Sequence, residues 1–370
     1  MATAPYAQNA RPFLHGGELE GVAEVLAGGQ YGHGDITERF EQALTSFLGV
    51  DDVVAVASGT AALHIALAVT GIGHGDEVIV PSMTFCATVQ AIRACGAQPR
   101  FAEVDPDTLC LRPQDVMEAL TPSTRAVLPV LYGGRAVDLS DIRYELEQRK
   151  IAVVEDAAHA FGSYCGRVRI GATNNALTCF SFGPIKTLTC GQGGALVPRD
   201  PEQAAHARRM RLLGMAESPS ERARSATYHV GGVGLRAHLS QINAAIGLAQ
   251  IAHFPSVEAQ RKELWRTYAA ALEDLPDVRL VDVDVDRSVP TLCAVRVPER
   301  DRVFAALQAR GIGVGTHYPP NHLQPAFRRW WRPLIVTEQI GEEILTLPFH
   351  QKMTSHDARL VTTALREALR

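Results

Sequence analysis

Between about residues 50 and 200, short apolar runs rich in β-branched residues alternate with stretches of helical periodicity. The runs at 53–57, 77–81, 98–102, 126–131, 152–155, 177–182 and 194–198 predict strands. Between them, 61–70, 88–95 and 139–150 repeat apolar residues at helical spacing. This alternation predicts an α/β fold with a mixed, mostly parallel sheet sandwiched by helices.

Beyond residue 200 the pattern changes. The polar stretch 216–224 (AESPSERAR) predicts a mobile loop, and 239–253 a long helix. Pro255 then breaks the chain, and from Ser256 a long amphipathic helix, two or three strands and two more helices follow. The strand at 292–297 and the helices at 302–310 and 357–369 are the clearest of these. The expected organisation is a large domain over 1–254 and a smaller C-terminal α+β domain over 255–370, with the N-terminal segment packing on the smaller one.

Composition narrows the classes. Of 370 residues 46% are hydrophobic and 21% charged, and 36 basic against 40 acidic residues leave a net charge of −4. That balance argues against a nucleic-acid or anionic-membrane partner. Residues 1–13 lack the basic and apolar regions of a secretory signal, and no apolar run approaches the ~20 residues of a membrane span. The seven cysteines are scattered without a CxxC pair, which predicts reduced thiols in a cytoplasmic protein and no metal site. Only four basic residues are lysines: Lys150, Lys186, Lys262 and Lys352. Three lie in polar surroundings that read as solvated surface, whereas Lys186 lies among small, apolar and glycine residues.

Four features of the larger domain converge. The strand at 53–57 runs through Ser58, Gly59, Thr60 and Ala61 into a helix, offering free N–H groups to an anion. Asp156 ends a buried strand, with His159 three residues on, where ligands of open α/β sheets bind. Ser181 and Lys186 stand five apart just past another strand, so one could reach a phosphate and the other the aldehyde of one small cofactor. Phe85 follows the strand 77–81 and offers an aromatic platform. Singly, each has a structural alternative: a capped turn, an N-cap, a packed histidine, a lysine paired with an acid, and core. Neither GxxxxGK[ST] nor GxGxxG is present, which removes two common phosphate-binding competitors.

Together the segments SGTAALHIAL, DEVIVPSMTFCATVQAI, VVEDAAHAFGS, FSFGPIKTLTCGQGGALV and AAIGLAQI resemble the DegT/DnrJ/EryC1/StrS family. The resemblance runs from about Gly28 to the C-terminus and is most specific over 57–200. It implies a fold-type-I, aspartate-aminotransferase-like enzyme dependent on pyridoxal 5'-phosphate, with pyridoxamine 5'-phosphate as intermediate. Lys186 would carry the cofactor as a Schiff base and Asp156 would pair with its pyridine nitrogen. Phe85 would stack on the ring, His159 would sit near the phenolic oxygen, and Gly59, Thr60, Ala61 and Ser181 would hold the phosphate. Tyr31, His317, Tyr318 and His322 are the implied substrate residues, though the last segment also reads as a surface loop.

The resemblance further implies an amino-acid donor, glutamate or glutamine, and a keto-sugar acceptor in natural-product or cell-surface sugar biosynthesis. A nucleotide-linked sugar comes first and a cyclitol or other ketone second, with a homodimer sharing the active site. Two positions depart from the family pattern. Gly234 stands where an asparagine would reach the phosphate, and Leu131 replaces a frequent histidine. Lys186 argues against the sister dehydratases that carry histidine instead. A lysine-bearing branch that makes an aminobenzoate by dehydration stays open. A non-catalytic regulator finds no helix-turn-helix or basic stripe to support it.

Overall fold

The computed structural model describes residues 4–370 apart from 174, 218–220, 222 and 223. Five positions of the expected mobile loop thus lie outside the described residues.

Seven strands form one sheet: β1 (Val54–Val56), β2 (Glu77–Pro81), β3 (Gln98–Ala102), β4 (Thr124–Val127), β5 (Ala152–Asp156), and the later Leu177–Ser181 and Gly194–Val197. Between β5 and these last two lies a small ribbon of β6 (Tyr164–Cys165) and β7 (Val168–Arg169), so they are β8 and β9. The order is β1-β9-β8-β5-β4-β2-β3. Pairs β2/β3, β2/β4, β4/β5 and β5/β8 are parallel, while β9 is antiparallel to both neighbours. The sheet is therefore mixed and mostly parallel, as the alternation predicts. Its central strands read as continuous apolar runs because helices cover both faces.

The expected strand 126–131 stops at Val127, because the chain turns at Pro129, which has no N–H for a ladder. Its continuation still runs beside β5: Pro129 O accepts from Asp156 N at 2.9 Å, and Leu131 N donates to Asp156 O at 3.0 Å. The expected helix 139–150 shrinks to a 3-10 turn (Ser140–Ile142) and a short helix (Arg143–Gln148).

On the faces lie α1 (Glu18–Gly28), α2 (Asp35–Leu48), α3 (Gly59–Val69) and α4 (Cys86–Ala94). The helix α3 is apolar nearly all round and is sunk into the core through Ala62, Leu63, Ile65, Ala66 and Leu67. Gln241–Ala252 forms the helix expected near 239–253, and Phe254–Leu272 follows directly. Pro255 thus starts a helix in its first turn, where a missing N–H costs nothing.

The C-terminal part builds a second, antiparallel sheet from β10 (Arg279–Leu280), β11 (Cys293–Arg296) and β12 (Ile344–Leu347). Helices Arg300–Ala309 and Ser355–Ala368 match the sequence expectation, and Ile335–Glu343 is an additional one. The N-terminal segment lies on this sheet: Gly313 N donates to Tyr6 O at 2.8 Å and Phe349 N to Asn9 O at 2.8 Å. The main core crosses from one sheet to the other through Val281, Val289, Leu292, Ala294 and Ile344. Among the described residues no helix is long and apolar enough to cross a membrane. All seven cysteines are free thiols.

Candidate active site

The ends of β1, β2, β5 and β8 meet at one edge of the large sheet, where parallel strands leave a crevice. A cleft of about 290 Å³ opens there. It is lined by Gly59, Thr60, Phe85, Asp156, His159, Ser181, Lys186, His317 and Tyr318, nine of the residues named from the sequence. A larger cavity of about 710 Å³ lies between α2 and the helix Pro201–Met210. Its wall is braced by ion pairs such as Arg208–Asp52 at 2.6 Å and Arg211–Glu41, and it shares no lining residue with the Lys186 cleft.

Lys186 sits half-buried in the turn after β8. Burial pushes its amine from the usual 10.5 down to about 8, against the opposing pull of Asp156. The amine is thus available in its neutral form near physiological pH. By contrast Lys150 and Lys352 are exposed, and Lys262 is half-buried in an ion pair with Glu258 at 2.7 Å, a correction to its reading as free surface.

Asp156 is 5% exposed. Its Oδ2 accepts from Thr88 Oγ1 at 2.7 Å and its Oδ1 from Ala158 N at 3.1 Å. Burial raises its carboxyl, while the Thr88 bond, the Ala158 bond and Lys186 favour the ionised form. Thr88 is buried in the first turn of α4 and has Thr84 Oγ1 2.8 Å from its own hydroxyl. Thr88 escaped sequence reading; the only signal is two threonines four apart across a strand–helix junction.

His159 is buried between Tyr132 and Tyr318. Gly133 N donates to Nδ1 at 3.4 Å, which leaves the proton on Nε2, 3.1 Å from the Tyr318 hydroxyl. Burial first, then the charge of Lys186, hold its imidazole well below the ordinary range, so it is neutral. The same causes bring His317 down to about 4. His317 Nδ1 lies 2.8 Å from Thr346 Oγ1, and its carbonyl accepts from the Tyr132 hydroxyl. Phe85 is 57% exposed on the cleft wall, with its ring 5.7 Å from Tyr318, so it is not core.

The anion cradle is tight. Ser58 Oγ caps α3 by accepting from Ala61 N at 3.1 Å, which leaves the Gly59 and Thr60 N–H groups at the helix start. Ala61 therefore has its N–H taken, and its side chain packs toward the core instead of lining the cleft. A Cβ on Gly59 would stand 2.8 Å from the Ser181 Cβ, and one on Gly194 2.5 Å from the Ser58 carbonyl carbon. Only glycine lets β8, β9 and the α3 turn come this close.

Two expected substrate residues are elsewhere. Tyr31 is 47% exposed, and its hydroxyl donates to Leu26 O at 3.2 Å, in a loop pinned by Gln241. His322 is fully buried: its N–H donates to Ser82 Oγ at 2.9 Å, Ser82 Oγ lies 2.7 Å from Nδ1, and Nε2 faces Glu338 at 3.2 Å. It clasps the C-terminal segment to the turn after β2. Of the two departures, Leu131 is buried core. At Gly234 a Cβ would stand 2.1 Å from Gly214 N, so no side chain fits there without moving backbone.

A buried carboxylate, a readily deprotonated amine, an exposed aromatic face and a glycine-rich helix start suit a small phosphorylated aldehyde with a protonatable ring. The residues present fit pyridoxal phosphate.

The chain matches the model of the DegT/DnrJ/EryC1/StrS aminotransferase family over residues 14–366. Among solved structures it is similar to the aminotransferase TlmJ from Streptoalloteichus hindustanus, at 34% identity and TM-score 0.90 over 98% of both chains. It is also similar to DesV of S. venezuelae, solved with a ketimine intermediate, at 36% identity and TM-score 0.89 over 95% of this chain and 94% of that one. The sugar aminotransferase CalS13 from Micromonospora echinospora shares 26% identity and TM-score 0.91 over 98% and 99%. The chain belongs to the DegT/DnrJ/EryC1/StrS aminotransferase family and is a pyridoxal-phosphate-dependent transaminase of fold type I.

Proposed function

We propose that the enzyme moves an amino group from glutamate or glutamine to the ketone of a sugar, nucleotide-linked in the first instance. The observation that carries this reading is the Lys186 amine, lowered to about 8, in one cleft with the buried Asp156 carboxylate. The sugar chemistry named for CalS13, at 26% identity over nearly the whole chain, supports the acceptor class.

When bound, pyridoxal phosphate supplies an electron sink for the carbanion at the donor's α-carbon. Lys186 Nζ would hold the cofactor through its aldehyde carbon. Freed from the cofactor, Nζ would act as general base that takes the proton from the donor α-carbon and as general acid that gives it to the carbon that had been the aldehyde carbon. Asp156 would hold a proton on the ring nitrogen, and Phe85 would cover one ring face. Gly59 and Thr60 N–H groups and the Ser181 hydroxyl would bind the phosphate, without Ala61, whose N–H is held by Ser58. His159, neutral and with its proton on Nε2, would orient the phenolic oxygen. His317 and Tyr318 close the cleft on the acceptor side, and the reaction with the ketone uses the same groups in reverse.

We further place the boundary between a large and a small domain at residue 255, supported by the separate core around the second sheet. A homodimer in the cytoplasm is the assembly and location we favour, the latter supported by seven free thiols.

The test is spectroscopic. Purified enzyme loaded with cofactor is mixed with glutamate, then with glutamine, and the Schiff-base absorption is followed as it converts to the pyridoxamine form. Nucleotide-linked keto-sugars should then restore the original band. Conversion without restoration by any such sugar would overturn the acceptor class, and no conversion by either donor would overturn the transamination itself.

A further inference from the structure

We propose that Thr88 is a positioning residue for the reaction: its hydroxyl, itself oriented by Thr84, keeps Asp156 an ionised carboxylate turned toward the cofactor's ring nitrogen. This rests on the reading of Asp156 given above and deepens it.

The direction of the relay follows from what each group can donate. An ionised carboxylate has no proton to give, so across the 2.7 Å contact Thr88 Oγ1 donates to Asp156 Oδ2. Its proton spent, the Thr88 oxygen accepts from Thr84 Oγ1 at 2.8 Å. Both threonines are almost wholly buried, at 1% and 2% exposure, so water does not compete for either hydroxyl.

The charge needs this support. Asp156 lies at the end of a strand buried on both faces, where desolvation favours the neutral acid. The first of the opposing influences is the Thr88 bond, ahead of Ala158 N–H and Lys186. The other titratable groups facing the carboxylate are Tyr318 and Cys179, neither of which supplies positive charge. Lys186, with its amine lowered to about 8, is only partly charged near neutral pH, so the Thr88 hydroxyl and the Ala158 N–H are the fixed contacts that hold the carboxylate.

The relay is anchored from the far end of the chain. Asn321 Nδ2 donates to Thr84 O at 2.6 Å and Ser82 O at 3.1 Å, and Asn321 N to Ser82 O at 2.9 Å. With His322 on Ser82, the C-terminal segment fixes the turn that carries both Thr84 and Phe85. The platform for the ring face and the relay to the ring nitrogen are thus held by one clasp.

The experiment compares the natural chain with Thr88→Ser, Thr88→Val, Thr84→Val and Asp156→Asn, each loaded with cofactor labelled at the ring nitrogen and read by NMR. The expected result is a protonated ring nitrogen in the natural chain and in Thr88→Ser, and an unprotonated one in Asp156→Asn and Thr88→Val at neutral pH. Thr84→Val should shift the titration of that nitrogen in the same direction by less. In the donor half-reaction, loss of a charge-assisted hydrogen bond in Thr88→Val should lower kcat by about tenfold or more with KM little changed, and Thr88→Ser should restore it. If Asp156→Asn leaves the nitrogen protonated, the reading of Asp156 itself fails. If Asp156→Asn removes that proton while Thr88→Val keeps it, the relay alone is overturned. Should Thr88→Val not fold, an unshifted titration in Thr84→Val overturns the relay.

Discussion

His159 Nε2 lies 3.1 Å from the Tyr318 hydroxyl, so the loop after β5 and a segment 159 residues later meet inside one cleft. Because Gly133 N–H occupies Nδ1, this contact is the one place where the Nε2 proton finds a protein partner. Tyr318→Phe keeps the ring but strands that buried proton. The cofactor-free variant should lose about 1–3 kcal/mol of stability in denaturant unfolding. An unchanged midpoint and slope would show that the hydroxyl contact carries no weight.

The Lys186 amine sets a pH dependence that cofactor loading reports. Its neutral, reactive fraction grows through about 8, so the rate at which added pyridoxal phosphate forms the Schiff-base absorption should rise with pH through that value. The sign for stability is the same. Folding lowers this group's pKa from 10.5, so between about 8 and 10.5 the unfolded chain binds more protons than the folded one. Over that window Lys186 makes the cofactor-free protein more stable as pH rises, and the slope should vanish in Lys186→Met. A loading rate that is flat from pH 7 to 9 would contradict the lowered amine.

Gly234→Asn installs the residue the family pattern carries at this position. In this fold its Cβ would meet Gly214 N at 2.1 Å, the Leu213 carbonyl carbon at 2.5 Å and Met210 O at 2.8 Å, all of them backbone. The overpacked variant should be destabilised by about 1–3 kcal/mol and should not bind cofactor more tightly. A lower cofactor dissociation constant at unchanged melting temperature would mean that the loop yields and the asparagine reaches the phosphate.

His322→Ala separates a structural clasp from a substrate contact. It leaves the Ser82 hydroxyl without its ring partner inside the core and should cost about 1–3 kcal/mol in thermal or denaturant unfolding. The acceptor's KM should stay near that of the natural chain wherever the variant is folded. A raised KM in a fully stable variant would return His322 to the substrate site.

Much of the fold was legible in the sequence for a local reason. Strands β2 and β3 have the bounds that the apolar runs predict, because both are short, continuous and flanked by turns. The run at 126–131 misled because hydrophobicity records burial alone, and Pro129 ends the ladder while the chain stays buried beside β5. The helix at 139–150 misled in a similar way: its spacing persists, yet only Arg143–Gln148 is α-helical.

For the site, the sequence by itself determined the chemistry-bearing groups that follow strand ends: Gly59, Asp156, Ser181 and Lys186. Three strands deliver them, β1 for Gly59, β5 for Asp156 and β8 for both Ser181 and Lys186, and parallel strands bring their C-terminal ends to one edge whatever lies between them. Tertiary structure decided the rest. Thr88 became the partner of Asp156, 68 residues away, and His322 became the clasp of Ser82, 240 residues away. Tyr31 was left outside the cleft, and Gly234 was closed to any side chain by Gly214. Contacts of that range depend on how sheets and connecting segments pack, and hydrophobic periodicity specifies which face of an element is buried without naming the residue it will meet.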